Sequence, residues 1–235
     1  MNDSERPVVL ITAASQGIGR AIATHLAGSY RVVLLARSPQ IVEIARALGG
    51  LGVEGSLTDP VALERFVRTA LDRYGRVDAV VNNTGHPAKG ELLSLTDADW
   101  QQGFDLILNS VIRLHRLALP AMIERRRGSI VNISSYAAQR PELARPVSSV
   151  FRAALSAWTK LQAEYAAPHG IRVNSVLPGF VDSYPVADEI VSTIPLGRPG
   201  RLEELAAYVA FLLSDEASYI TGQNLLFDGG MARGI

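Results

Sequence analysis

Along its 235 residues this chain alternates short apolar runs with longer stretches of helical period, and few folds accept that rhythm. PVVLIT near Val8, RVVLLA near Val33, LGVEG near Val53, VDAVVNN near Val80, GSIVNIS near Val131, IRVNSVL near Val173 and NLLFD near Leu226 read as strands. Amphipathic segments begin near Gly17, Pro39, Pro60, Asp97, Ser148 and Arg201, several behind a Ser, Thr or Asp that can cap a helix. Thr58 and Asp59 before Pro60 mark a good start, because proline suits a first helical position. The alternation predicts an α/β fold: a doubly wound parallel sheet of seven strands, covered by helices on both faces.

No Gly/Ser linker, low-complexity tract or internal repeat interrupts the pattern, so residues 1–235 read as a single domain. The longest irregular segment, Pro178 to about Arg201, has room for a short active-site lid. Twenty-three basic residues balance 23 acidic ones, which leaves no long-range field for nucleic acid or an anionic membrane. The basic run ERRRG, Glu124–Gly128, reads as a solvated helix end, where cations oppose the helix dipole. The chain has no cysteine, which excludes disulfides and thiolate chemistry. His25, His86, His115 and His169 lack metal-binding spacing, so no metal is expected. The N-terminus is polar, unlike a signal peptide, and no unbroken apolar run reaches about 18 residues. A cytoplasmic protein without a membrane partner is expected.

VVLITAASQGIGRAIATHLAG sets a strand, a turn of small residues and a helix start in succession. Gly17 and Gly19 would let a pyrophosphate approach the helix N-terminus, although tight strand–helix packing uses glycines in the same way. TAASQGIG resembles the TGxxxGxG turn of the short-chain dehydrogenase/reductase family, with Ala13 in place of the first glycine. NNTG at Asn82–Gly85, IRVNSVLPGFVDS, and LGRPGRLEELAAYVAFLLSDEASYITGQNLLFDGG resemble further family segments in the same order, over almost the whole chain. The resemblance implies a Rossmann-type fold and a dinucleotide held first by Thr12, Ser15, Gln16, Gly17, Ile18 and Gly19. It adds Arg37, Ser56, Leu57, Asn83 and Gly85, and then Pro178, Gly179 and Val181.

After the second strand, Ala36 stands where NAD-preferring members carry an acid, and Arg37 follows it. An acid there would hold the ribose diol, whereas arginine suits a 2′-phosphate, so NADP(H) is expected over NAD(H). An ordinary solvated charge is the competing account of Arg37. Ser56 replaces the usual aspartate against the adenine amine, and Thr84 replaces a small alanine near the ribose. With Ala13, these changes imply a pocket of relaxed demands.

The resemblance implies carbonyl/alcohol chemistry in which a tyrosine serves as acid or base and a lysine lowers its pKa. A serine binds the carbonyl oxygen, and an asparagine holds a water. Counting puts Ser135 at the serine position, Ser148 at the tyrosine position and Arg152 at the lysine position. Ile107 takes the asparagine position, while Asn109 comes two residues late, about 200° around a helix. Ser148 is too short and too weak an acid to replace a phenol, and Arg152 stays protonated. Losing a positioned acid or base costs about 10² to 10⁴ in rate. Tyr136 and Arg140 imitate the missing pair, but Pro141 opposes a helix through them. Tyr136 stands as a surrogate acid beside Ser135, with His86, Lys89 and Tyr184 behind it; each otherwise reads as a loop residue at a pocket rim.

Three functions fit these residues. The expected one is a catalytically degenerate subunit that pairs with an active member of the family. The resemblance implies association through the helices at about Asp97–Arg125 and Ser148–Ala167, as a hetero-oligomer or a homo-oligomer. The second is an atypical NADP(H)-dependent ketoreductase with a surrogate or substrate-borne proton donor. The third is a nucleotide- or metabolite-binding protein without a redox step. The replacements Ile107, Ser148 and Arg152 favour the first and third, and fold alone does not choose.

Overall fold

A computed structural model describes residues 6–233. Strands β1 (Val8–Thr12), β2 (Arg31–Ala36), β3 (Leu51–Glu54), β4 (Ala79–Asn82), β5 (Gly128–Ile133), β6 (Ile171–Pro178) and β7 (Asn224–Phe227) form one sheet of 7 strands. Their order is β3-β2-β1-β4-β5-β6-β7, and every neighbouring pair runs parallel. Alternate residues of β1 serve opposite faces, which is why its apolar run has no polar interruption. Val9 and Ile11 pack toward helices α1 (Gly17–Leu26) and α2 (Ile41–Ala47). Val8 and Leu10 pack toward α3 (Pro60–Tyr74). The chain is the doubly wound α/β fold that the alternation predicts.

Asp59 caps α3 as expected, its carboxylate accepting from the Val61 N–H at 2.9 Å. Beyond β4, α4 (Asp97–Phe104) runs through a π-helical turn, Asp105–Asn109, into α5 (Ser110–Arg125). That turn has no sequence signature. The whole helix Asp97–Arg125 is long and apolar enough to cross a membrane by length and composition; charges interrupt it, so no unbroken apolar run marks it. Its apolar residues Ile107, Val111, Leu114, Ala118 and Met122 are buried in the fold, which accounts for its hydropathy. At its end Arg126 takes a left-handed φ of 51°, and Arg127 pairs with Asp215 at 2.7 Å, so ERRRG is a solvated helix end.

Helix α6 (Pro146–Ala166) begins two residues before Ser148, with Pro146 in its first turn. A short α7 (Asp188–Val191) sits in the segment read as irregular, and α8 (Leu202–Leu213) returns to the face of α1 and α2. A buried polar chain ties α5 and α6 to the sheet. Asn82 donates to Asn132 at 2.8 Å, Asn132 to Thr159 at 2.9 Å, and Thr159 lies 2.7 Å from Ser175. Asn82 also lies 2.9 Å from His115 Nε2, whose Nδ1 accepts from Trp158 Nε1 at 3.2 Å.

Candidate active site

The strand order reverses between β1 and β4, and a cleft of about 1080 Å³ opens beyond the strands' C-terminal ends, where such sheets place ligands. Ser15, Gln16, Gly17 and Ile18 line it, with Gly17 at φ +53°. Gln16 makes no side-chain cap to α1, and no acid lies in its first turn, so the opening N–H groups suit an anion. Thr12 and Gly19, also expected at the cofactor, are not among the residues that line the cleft. Thr12 Oγ1 accepts from the Asn83 N–H at 2.9 Å and donates to the Asn83 carbonyl at 2.6 Å, joining the ends of β1 and β4. Gly19 is where the helix meets the turn: a Cβ there would stand 2.4 Å from the Ala13 carbonyl oxygen. Both residues shape the cleft without lining it. Ala13 itself holds φ 48°, the left-handed region that the expected glycine would occupy freely.

Arg37 is exposed at the cleft mouth after β2, facing the wall that holds Ser56 and Leu57. The Ser56 hydroxyl lies 2.9 Å from Thr58 Oγ1 and accepts the Thr58 N–H at 3.3 Å, so its own turn already engages it. Asn83 and Gly85 line the middle, Asn83 Nδ2 donating to the Ala13 carbonyl at 3.2 Å. Pro178, Gly179 and Val181 line the far side, and Val181 bridges Gly200 to close the base of the expected lid segment. From that segment Tyr184, Val186 and Ile190 face the cleft.

At the chemical end, Ser135 Oγ accepts from the Ala137 N–H at 3.2 Å, which leaves its own hydrogen for another partner. Ser148 and Arg152 project from α6 into the cleft wall one helical turn apart. Arg152 Nε donates to Ser148 Oγ at 3.2 Å, and Nη1 donates to the Ile133 carbonyl at 3.0 Å. Arg152 is only 5% exposed, and among the described residues no carboxylate pairs with it. Burial lowers its pKa from 12.5 to about 10, so it stays cationic at neutral pH. Holding a buried cation without a counter-charge is costly. The adjoining Ser134 hydroxyl is likewise buried on the cleft wall without a hydrogen-bond partner.

Ile107 is fully buried against Val111 and Leu155, and Asn109 turns its amide back to Asp105 at 2.7 Å, so neither supplies an asparagine to the cleft. Tyr136 does line the cleft, but its hydroxyl donates to Glu142, and burial followed by Glu142 raises its pKa well above the phenol range. Tyr136–Ala138 is one 3₁₀ turn, and Arg140 reaches away to the Met231 carbonyl at 3.3 Å, so the two share no helical face. His86, Lys89 and Tyr184 are at the rim. Desolvation lowers the His86 pKa, and Arg152, Lys89 and Arg145 push it in the same direction. Arg145 also lines the cleft; it lies over the Phe180 ring at 5.2 Å and pairs with Glu142 at 3.4 Å. No motif marks Arg145. It stands at the N-cap of α6, seven residues before Arg152.

A model of the family described as "Enoyl-(Acyl carrier protein) reductase" matches residues 12–232. The chain is 36% identical over 238 residues to 3-oxoacyl-[acyl-carrier-protein] reductase FabG of Salmonella typhimurium, covering 97% of this chain and 98% of that one. It is 35% identical over 258 residues to the monensin polyketide synthase putative ketoacyl reductase of Streptomyces virginiae, covering 98% and 99%. Among solved structures, YwfH, an NADPH-dependent reductase involved in bacilysin biosynthesis, superposes with a TM-score of 0.92 at 28% identity, covering 98% and 100%. L-sorbose reductase from Gluconobacter frateurii, solved with NADPH and L-sorbose, gives a TM-score of 0.93 at 29% identity, covering 98% of each chain.

Proposed function

Because this chain belongs to the short-chain dehydrogenase/reductase family of oxidoreductases, we propose that it is an NADPH-dependent reductase of an oxo compound, in which a fixed cation replaces the usual proton donor. The observation that carries this is Arg152: buried beside Ser135 and Ser148 on the cleft wall, hydrogen-bonded in place, and unpaired by any acid among the described residues.

The cofactor end fits NADPH. The uncapped start of α1 suits the pyrophosphate, Arg37 the 2′-phosphate, and the unpartnered Ser134 hydroxyl offers a polar contact deeper in the cleft. When bound, NADPH supplies the hydride. Ser135 and Ser148 orient the acceptor's oxygen, and Arg152 holds the negative charge that gathers there as the C=O π pair moves onto it. Tyr136 is committed to Glu142, so the proton that completes the alcohol comes from water entering the open cleft. A missing donor makes the reaction slow with ordinary ketones, and it favours substrates whose product oxyanion is already stabilised. FabG and YwfH, by their names reductases, support the direction of transfer.

The test is NADPH oxidation with a panel of oxo compounds, alongside NADPH affinity from its fluorescence. Arg152→Gln should lose about 10² to 10³ in kcat, the size of effect seen when one oxyanion donor is removed, with NADPH affinity retained. NADPH binding with no turnover on any panel member would overturn the proposal.

Pairing with an active member of the family is favoured by one separate observation. Val150, Leu161 and Tyr165 form an exposed apolar stripe along α6, at positions 0, 11 and 15 of one face. Light scattering of Leu161→Glu/Tyr165→Glu should show a smaller species than the parent. Co-expression with a related dehydrogenase should give a mixed oligomer; recovery of homo-oligomers only would exclude pairing.

A further inference from the structure

We infer that the hydride acceptor is a 2-oxo carboxylate with an apolar body, seated by the free N–H groups of the Arg152 guanidinium; the inference deepens the proposed reductase function. The first support is the charge inventory of the cleft. Its ionised lining residues are Arg37, Lys89, Arg145 and Arg152, and no Asp or Glu lines it. A chain of net charge +0 has thus gathered one sign in one concavity.

These cations fall into two groups. Arg37 lies at the β2 end, with the residues suited to the cofactor's phosphates. Lys89, Arg145 and Arg152 line the cleft with His86, close enough for their charges to act on its imidazole. The nicotinamide half of a dinucleotide carries no phosphate beyond the pyrophosphate at α1, so this second group needs another anion. Glu142 offsets Arg145 at 3.4 Å. Lys89 and Arg152 form no ion pair among the described residues.

The second support is donor geometry. A guanidinium has five N–H groups, and Arg152 spends one on Ser148 and one on Ile133, through Nε and Nη1. Half of the side-on edge, the Nε–H, is therefore occupied. One N–H of Nη1 and both of Nη2 are left, enough donors to meet two oxygens at once. A 2-oxo acid presents such a pair, its keto oxygen and one carboxylate oxygen lying side by side. Bound so, the carboxylate anchors the molecule and the keto oxygen meets the charge that its reduction requires. Leu106, Phe180, Tyr184, Val186 and Ile190 supply apolar surface for the remainder.

The matched probes are phenylglyoxylate and its methyl ester, which differ by the one charge. Isothermal titration of each into the protein, with and without saturating NADP⁺, reads binding apart from turnover. The acid should bind at least about 10-fold more tightly than the ester. Arg152→Lys keeps the charge but loses the planar set of donors, and should cost the acid about 10-fold or more while leaving NADP⁺ affinity unchanged. Lys89→Gln, at the exposed rim, should cost it about 3-fold and serves if the buried variant does not fold. Equal affinity for acid and ester, or acid binding indifferent to both substitutions, would overturn the inference. Failure of NADP⁺ to bind would instead remove the reductase reading, while titration without NADP⁺ still decides whether the cleft takes a carboxylate.

Discussion

Arg152 Nε donates to Ser148 Oγ at 3.2 Å, so the residues that counting sets at the lysine and tyrosine places implied by the family resemblance are bonded to each other across one turn of α6. Ser148, accepting that bond, has its own hydrogen free for a ligand. The pair is a donor unit that carries a charge at neutral pH. Of the two phenols that line the cleft, Tyr136 is spent on Glu142 and Tyr184 stands at the rim.

Tyr136→Phe therefore tests the surrogate-acid role directly. With its hydroxyl committed and its pKa raised by burial and Glu142, the phenol contributes little to turnover, and kcat should change by less than about 3-fold. A loss of about 10² would instead make Tyr136 the acid.

Arg37 should set the cofactor preference. It stands exposed after β2 with Ala36, not an acid, before it. Arg37→Ala should weaken NADPH by about 10-fold, which is about 1.4 kcal/mol, and leave NADH unchanged, as read from quenching or nucleotide fluorescence. Rising salt should narrow the parent's preference for NADPH. An unaltered preference would put the 2′-phosphate elsewhere.

Ala13 carries a left-handed φ of 48° where glycine would be unstrained. That conformation costs an L-residue about 1–2 kcal/mol, and glycine's extra freedom in the unfolded chain returns about 0.4–1. Ala13→Gly should raise the melting temperature by about 1–4 °C, and Ala13→Val should lower it, since a β-branched residue suits that region least.

His115 predicts how the fold meets acid. Its ring is buried between Asn82 and Trp158, and burial lowers its pKa from 6.5 to about 3. Between those values the unfolded chain binds the proton and the folded chain does not, so stability is whole above about pH 6.5 and is lost as pH falls toward 3. The slope approaches about 1.4 kcal/mol per pH unit, for a total on the order of 5 kcal/mol. Denaturant midpoints between pH 7 and 4 should fall less steeply for His115→Gln than for the parent; parallel curves would mean that another group dominates.

The alternation of apolar runs and helical periods by itself determined the seven-stranded α/β fold. The ordered motifs located the cleft, and counting from Ser135 set Ser148 and Arg152 where the resemblance implies a tyrosine and a lysine. Asn109 likewise faces away, as two residues of helix rotation require. These are properties of spacing, and spacing is written along the chain. What only the tertiary structure decided is the state of each group: that Arg152 is buried without an acid, that Glu142 takes the Tyr136 hydroxyl, that Arg145 joins the cleft, and that Thr12 and Gly19 do not line it. The π-helical turn at Asp105–Asn109 belongs with them. A side chain's charge and free hydrogens depend on neighbours brought together from distant parts of the chain, and on how much water they exclude, and local pattern carries neither quantity.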